Sequence, residues 1–322
     1  MALRPSPPLL VLAGPTGTGK TGTSIAVARA LSAEGIPAEV ISADSRQVYR
    51  GLDIGTAKAT PAERGDVPHH GLDLVEPDEP FSVAGFVRHA VEALHGLAAR
   101  GGIAILAGGT GLYLRAVARG LDVDALPSDE AVRERIETAL ARDGVDASAA
   151  RLRAVAPALA ATTDLRNPRR VARALEIAEL AGDRPRPPTR GYEGPVAWLG
   201  LDVEAATHAR WLHDRARRQF DSGLVEEARG LRERFDPGLP AFSAIGYAEA
   251  WAYLDGEVTL DEAIELDARR NVAFAKRQRT WFRSEPDIEW LTADAGEGSV
   301  VRTAVDTARR LRDASDAHDG AA

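Results

Sequence analysis

The chain has 322 residues, 44% of them hydrophobic and 27% charged, which leaves room for about two domains, each with its own core. Its net charge of -8 argues against a protein that coats nucleic acid through its overall field, though not against a local basic groove. The absence of cysteine excludes a disulfide framework, a thiolate zinc site and a cysteine nucleophile, and no apolar run approaches the roughly 20 residues that span a bilayer.

In chain order, "MALRPSPPLL" leads directly into a first strand, leaving no room for a signal sequence, so a cytoplasmic protein without membrane contact is expected. "LLVLA" then breaks into Gly14-Pro15-Thr16-Gly17-Thr18-Gly19-Lys20-Thr21, and "TGTSIAVARALSAEG" follows as an amphipathic helix ending on Gly35. "AEVISAD" is the next strand. His69-His70 lies in a Pro/Gly-flanked loop and reads as structural, and the seven histidines show no metal-ligand spacing. "SVAGFVRHAVEALHGLAARG" is a helix stopped by Gly101-Gly102 before the strand "IAILAGGT". Strands alternating with helices imply a parallel sheet covered on both faces, with its ligands at the carboxyl ends of the strands. The loops after Leu12, Ala43 and Leu106 should therefore converge on one site.

From about Asp122 the pattern becomes helical. Ser128 is placed to cap "DEAVRERIETALARDG", and Asn167, Pro168 and Gly182 punctuate "NPRRVARALEIAELAG" as cap, first helical residue and stop. "DRPRPPTRG" is a stiff proline-rich return, and "VAWLGLDV" resumes a strand. Thr259 to Glu262 form a capping box opening a helix over 260–283, with Ile264, Ala268, Val272, Ala275 and Phe282 as its apolar stripe. Arg269, Arg270, Lys276, Arg277 and Arg283 take the opposite arc. The expected architecture is thus an α/β fold, a P-loop NTPase-like parallel sheet core with a helical insertion domain. Residues 1–121 form the first part of the core, 122–191 the insertion, 192–302 the second part, and 303–322 a frayed helix and tail.

"GPTGTGKT" satisfies G-x-x-x-x-G-K-[ST] between a strand and a helix, so its backbone N–H groups should cradle phosphates, with Lys20 as a point charge and the Thr21 hydroxyl placed for Mg²⁺. A hydrolase of nucleoside triphosphates also needs an acid at the end of a neighbouring strand. Here that strand ends in Gly108-Gly109-Thr110. Asp44, ending the other strand, is the one carboxylate well placed for chemistry; as a turn cap it would be merely structural. A lone carboxylate opposite a phosphate loop suits a base that deprotonates an acceptor while the loop holds the leaving phosphates.

"GPTGTGKT", "ISADSRQVYRGLDIGTAK", "GGTGLYL", "NPRRVARALEI", "IGYAEAW" and "AKRQRTWF", in this order over roughly residues 9–292, resemble the bacterial tRNA dimethylallyltransferases. The resemblance implies transfer of a dimethylallyl group from dimethylallyl diphosphate to N6 of the adenosine next to the anticodon, in tRNAs reading codons that start with U. It implies Asp44 as the base, and the loop Gly14, Pro15, Thr16, Gly17, Thr18, Gly19, Lys20 and Thr21 as the diphosphate site. Mg²⁺ is implied as cofactor, held partly by Thr21, and Arg215 as a further diphosphate contact. Asp44, Ser45, Arg46, Gln47 and Thr110 would face the tRNA. Arg133, Arg169, Arg170, Arg173, Lys276, Arg277 and Arg279 would bind the tRNA anticodon stem-loop, and a monomer is expected. Two departures are Ala248, where a basic residue is common, and Trp211, where an arginine is frequent. Three alternatives stay open on the residues alone: a small-molecule kinase, an isopentenyltransferase of free adenine nucleotides, and a nucleotide-gated RNA-binding module.

Overall fold

A computed structural model describes residues 6–123, 127–184 and 189–319. The N-terminal stretch 1–5, residues 185–188 of the proline-rich return and the last three residues of the expected tail lie outside the described residues. In chain order the elements are β1 (Leu9–Ala13), α1 (Lys20–Ala33), β2 (Ala38–Ser42), α2 (Pro61–Arg64), β3 (His69–His70), α3 (Val83–Ala98), β4 (Ile103–Gly108) and α4 (Gly111–Ala118). Next come α5 (Glu130–Val155), α6 (Pro157–Ala161) and α7 (Pro168–Ala181). The chain then forms β5 (Val196–Asp202), α8 (Ala205–Asp221), α9 (Leu224–Arg234), α10 (Tyr247–Leu254), α11 (Leu260–Arg283), β6 (Ile288–Thr292) and α12 (Glu297–Asp319).

Two compact units result: residues 1–119 with 191–322, and Gly120–Arg190. The first holds a six-stranded sheet in the order β3-β2-β4-β1-β5-β6, parallel throughout. Because side chains alternate along a strand, β1 feeds two cores. Leu9, Val11 and Ala13 pack with Phe86, Leu114 and Phe282 on one face, whereas Leu10 and Leu12 meet Ile25, Leu31 and Ala308 on the other. All five β1 residues are fully buried, and burying each leucine contributes about 1.5–3 kcal/mol. This double covering fixes the central strand, and with it the loop that leaves its carboxyl end.

The smaller unit is helical. Its core joins Ile136 and Leu152 of α5, Leu159 of α6, and Val171, Leu175 and Ile177 of α7. α5 is interrupted at Gly144, whose φ of 82° and ψ of 170° are not helical. Its cap is Asp129, which accepts from the Val132 N–H, and not Ser128 as expected. The Ser128 hydroxyl instead donates to Glu176.

Two further expectations are corrected. Residues 303–319 are no frayed tail; Ala304, Val305 and Ala308 of α12 are buried in the α1 core. In α11, Val272 is 39% exposed, and the buried stripe runs through Asp267, Asn271 and Gln278 besides Ile264, Ala268, Ala275 and Phe282. One polar member of that stripe, Gln278, is part of the site.

Candidate active site

The phosphate loop is shaped by three left-handed glycines. Gly14, Gly17 and Gly19 have φ of 143°, 77° and 85°, values that an L side chain rarely adopts. A Cβ on Gly14 would also collide with the Leu201 carbonyl of β5, so the strand ends pack too tightly for any side chain there. Gly19 serves as the N-cap of α1 and leaves no side chain over the first-turn amides. The loop carries its own internal bond, Thr18 Oγ1 donating to the Pro15 carbonyl at 2.9 Å. Such a nest of inward N–H groups at a helix N-terminus favours an anion.

Thr16, at the crest, is gripped at three atoms. Its N–H donates to Gln278 Oε1 at 2.8 Å, and its carbonyl accepts from His208 Nε2 at 2.8 Å. Its hydroxyl accepts from Arg215 Nη1 at 2.5 Å. Gln278 also donates to the Gly109 carbonyl at 2.9 Å, tying the end of β4 to the same crest. All three gripping side chains come from α8 and α11, so these two helices set the loop. Arg279 donates to His208 Nδ1 at 3.1 Å, which makes that nitrogen the bare one and Nε2 the protonated one.

Asp44 follows β2 and is half-buried; its Oδ1 accepts from the Arg46 N–H at 2.8 Å. One oxygen thus shapes the turn, and the second has no hydrogen bond among the described residues. The neighbouring strand end explains why no acid stands there. A Cβ on Gly108 would overlap the Ala43 carbonyl, and one on Gly109 would overlap the Gln278 amide. β4 ends in glycine because β2 and α11 close over it. Thr110 Oγ1 accepts from the Ser45 N–H at 3.0 Å and points to Ser45 Oγ at 3.3 Å, bracing the Asp44 turn while making no cap to α4.

Thr16, Lys20, Thr21, Asp44, Gly108, Gly109, Arg215 and Gln278 line one cavity of about 910 Å³. Its wall also includes the apolar Ile25, Val40, Ala59 and Leu72 together with charged Arg29, Lys58 and Glu63. Burial drives the Lys20 ammonium down to about 7; Asp44 opposes this and Arg215 adds to it. The ammonium rests on the Pro15 carbonyl at 2.6 Å. Burial likewise lowers Arg215, against the fields of Asp267 and Asp44. His208 is lowered chiefly by burial, and the Thr16 bond only partly offsets it, so the ring is neutral near pH 7. The cavity therefore gathers buried positive charge beside Asp44, with Asp53 and Glu63 also on its wall.

Lys20, Thr21, Asp44 and Arg215 are brought together as the sequence implies, whereas other expected positions are spent elsewhere. Gln47 does not face outward: it is 9% exposed, accepts from Ser42 Oγ and donates to the Thr56 carbonyl, holding the 47–57 loop closed. Arg279 is engaged within the fold: it pairs with Asp202 at 2.8 Å and bonds the Val203 carbonyl. Arg46 reaches the Pro240 carbonyl at 2.8 Å. Lys276 and Arg277 are exposed, Arg277 lying over the Phe274 ring at 5.7 Å.

In the helical unit Arg169 and Arg170 are exposed on the first turn of α7. Arg133 and Arg173 instead reach Glu176, which is 1% exposed, at 3.2 and 2.7 Å. Sequence reasoning did not single out Gln278 or His208. For Gln278 the signal was present, since Asp267, Asn271 and Gln278 fall at helical spacing on the apolar stripe of α11.

Comparison with known proteins follows the same lines. The family model "IPP transferase" matches residues 47–285, and "Isopentenyl transferase" matches residues 7–67. A tRNA dimethylallyltransferase of Anaeromyxobacter sp. (strain K) is 47% identical over 292 residues, covering 88% of this chain and 92% of that protein. The full-length tRNA isopentenylpyrophosphate transferase of Bacillus halodurans has a similar structure, with a TM-score of 0.70 and 36% identity over 97% of this chain and 99% of that one. A eukaryotic dimethylallyltransferase solved acting on tRNA gives a TM-score of 0.72 at 26% identity, covering 89% of this chain and 74% of that one.

Proposed function

The chain belongs to the IPP transferase family of tRNA dimethylallyltransferases, and from that premise we propose how its own residues prenylate tRNA. The donor is dimethylallyl diphosphate and the acceptor is N6 of the adenosine next to the anticodon. The observation that carries this reading is one cavity in which a phosphate loop faces Asp44, while the adjacent strand end has no space for an acid.

Adenine N6 is a weak nucleophile because its lone pair is delocalised into the ring. The target base must leave its stack to enter the cavity. N6 attacks the allylic C1, the N6–C1 bond forms, and the C1–O bond to the diphosphate breaks. Asp44, through its second oxygen, accepts the N6 proton. The bonding electrons leave with the diphosphate, whose growing charge meets the loop amides, Lys20 and Arg215. Arg215 sits on the Thr16 hydroxyl at 2.5 Å, so its cation already lies at the loop. The apolar side chains on the cavity wall, Ile25, Val40, Ala59 and Leu72, are assigned to the prenyl chain.

A metal fits this donor set. Thr21 is exposed in the first turn of α1 beside Lys20, and a hydroxyl with diphosphate oxygens and water is the kind of shell Mg²⁺ prefers. Bound there, Mg²⁺ would neutralise charge on the leaving diphosphate. Arg169 and Arg170 on α7, and Lys276 and Arg277 on α11, are the exposed cations assigned to the tRNA backbone. Ser45, Arg46 and Thr110 shape the entry beside Asp44.

The test supplies tRNA, Mg²⁺ and either ATP or dimethylallyl diphosphate, and follows phosphate release and tRNA mass together. Prenyl-sized mass gain with diphosphate release is expected. ATP-dependent phosphate release without mass gain from the allylic donor would refute the reading and favour a kinase.

A further inference from the structure

A loop can offer a backbone N–H to an anion only if the carbonyl of the same peptide is held away from it, because the two point in opposite directions across a trans peptide bond. At the crest of the phosphate loop that task falls to His208 of α8. Its Nε2 donates to the Thr16 carbonyl at 2.8 Å. The Thr16–Gly17 peptide is trans, so the Gly17 N–H points away from His208. Gly17 lies directly against α8: a Cβ there would stand 2.7 Å from Leu212 Cδ2 and 3.7 Å from His208 Nε2.

The imidazole is itself held from behind. A neutral ring donates from Nε2 only while Nδ1 is bare, and Arg279 Nη2 donates to Nδ1 at 3.1 Å. Arg279 of α11 is fixed in turn by the end of β5, donating from Nε to Asp202 Oδ1 at 2.8 Å and from Nη2 to the Val203 carbonyl at 3.1 Å. Asp202 Oδ1 also accepts from the Val203 N–H at 2.9 Å. Asp202, Arg279, His208 and Thr16 thus form one chain of direct hydrogen bonds through β5, α11, α8 and the loop. The chain stands between two cavities. Thr16 and Gly17 line the phosphate cavity, whereas Asp202, His208 and Arg279 line a second one of about 810 Å³.

We propose that His208 is a positioning residue for the allylic diphosphate: it keeps the Thr16 carbonyl turned out of the phosphate cavity and the Gly17 N–H turned in, while Arg279, held by Asp202, fixes the tautomer that can do so. Neither side chain touches donor or acceptor; both act through one peptide. Without the ring, the crest peptide could rotate and set a carbonyl dipole against the phosphates in place of an amide. Arg279 thereby serves the donor, not the tRNA that its sequence position suggested.

The kinetic arm of the test rests on the proposed transfer activity, but pyrophosphate binding reads the crest peptide independently of any turnover. Full-length His208→Ala, His208→Gln, Arg279→Gln and the His208→Ala/Arg279→Gln double variant are compared for Mg²⁺-pyrophosphate affinity by calorimetry. Donor KM, tRNA KM, kcat and Tm are measured alongside. His208→Ala should weaken pyrophosphate and raise donor KM by about three- to tenfold, the scale of one orienting hydrogen bond, with tRNA KM unchanged. Removing the ring enlarges the second cavity, so added imidazole should enter there and restore affinity in His208→Ala while leaving the wild type unaffected. His208→Gln keeps an N–H donor and should retain part of the affinity. Arg279→Gln should shift pyrophosphate and donor KM in the same direction, and in the His208→Ala background it should add nothing. Unchanged pyrophosphate affinity in His208→Ala would overturn the proposal. So would a loss that neither imidazole nor glutamine relieves, or a raised tRNA KM in Arg279→Gln with pyrophosphate binding unmoved. If the wild type binds pyrophosphate but transfers no prenyl group, the activity assignment fails and the His208 comparison still stands.

Discussion

Lys20 makes the most quantitative prediction. Its ammonium is held down to about 7 by burial, so at pH 7.5 only about one quarter of the free protein carries the charge. A diphosphate seated on the loop brings opposite charge into contact and favours the ammonium, raising its pKa so that the bound form is charged. Binding at pH 7.5 should then take up about 0.7 of a proton at Lys20, and apparent affinity should fall nearly tenfold per pH unit above 7. Calorimetric titration of Mg²⁺-pyrophosphate in buffers of different ionisation enthalpy measures the uptake directly. Lys20→Arg is the reference, because a guanidinium stays charged throughout and the ligand's own ionisation cancels in the difference. Equal proton uptake by wild type and Lys20→Arg would refute the argument, as would a difference in affinity that does not change between pH 7 and 9.

Asp44→Asn keeps the shape of the turn but cannot take the N6 proton; tRNA should still bind while transfer falls about 10²- to 10⁴-fold, and near-normal turnover in single-cycle assays would leave Asp44 as a positioning group. Arg169→Ala with Arg170→Ala should weaken tRNA binding and flatten its salt dependence by about one unit per lost phosphate contact, read from affinities at several ionic strengths; an unchanged slope would remove α7 from the interface. Arg173→Ala should act on stability, costing the helical unit about 1–3 kcal/mol by depriving buried Glu176 of a donor. Burial acts to raise Glu176, but bonds from Arg173, the Asp129 N–H and Ser128 outweigh it and hold the carboxyl below its usual value of 4.5. That contribution is present above pH 4.5 and lost as pH falls through the lower folded value, so the gap in melting between wild type and variant should close in acid.

What could be read in advance followed local rules. The apolar runs of the strands, the glycines of the loop and the caps at Asn167 and Thr259 are set by nearby chemistry, and they stand in the structure as read. Most misses were tertiary. Val272 and Asn271 are adjacent, and in the packed helix the amide turns inward and the valine outward, so composition misled where spacing would not have. Arg279 looks like its exposed basic neighbours until β5 brings Asp202 beneath it. Residues 303–319 are rich in Ala and Asp, yet Ala304, Val305 and Ala308 form a stripe with small side chains that lets α12 lie close on α1. β6 was not anticipated because an edge strand with exposed positions shows little of the apolar run that marks its neighbours. Of the site, the loop and Asp44 were legible from motif and strand order. His208 and Gln278 were not, because each matters through a contact more than 60 residues distant in sequence.

The glycine pair closing β4 also bears on ancestry. A Gly codon is one base from an Asp codon, so Gly108→Asp is within easy mutational reach, and on paper it would restore the acid of a nucleotide hydrolase. The Ala43 carbonyl occupies the space that its Cβ would need. Admitting the new side chain would push β2 away from β4 and move Asp44 with it. The first step toward hydrolysis would thus damage transfer before any new chemistry could be selected. A lineage that has packed its strands this way keeps its reaction by steric commitment, and it can change trades only through several substitutions made together.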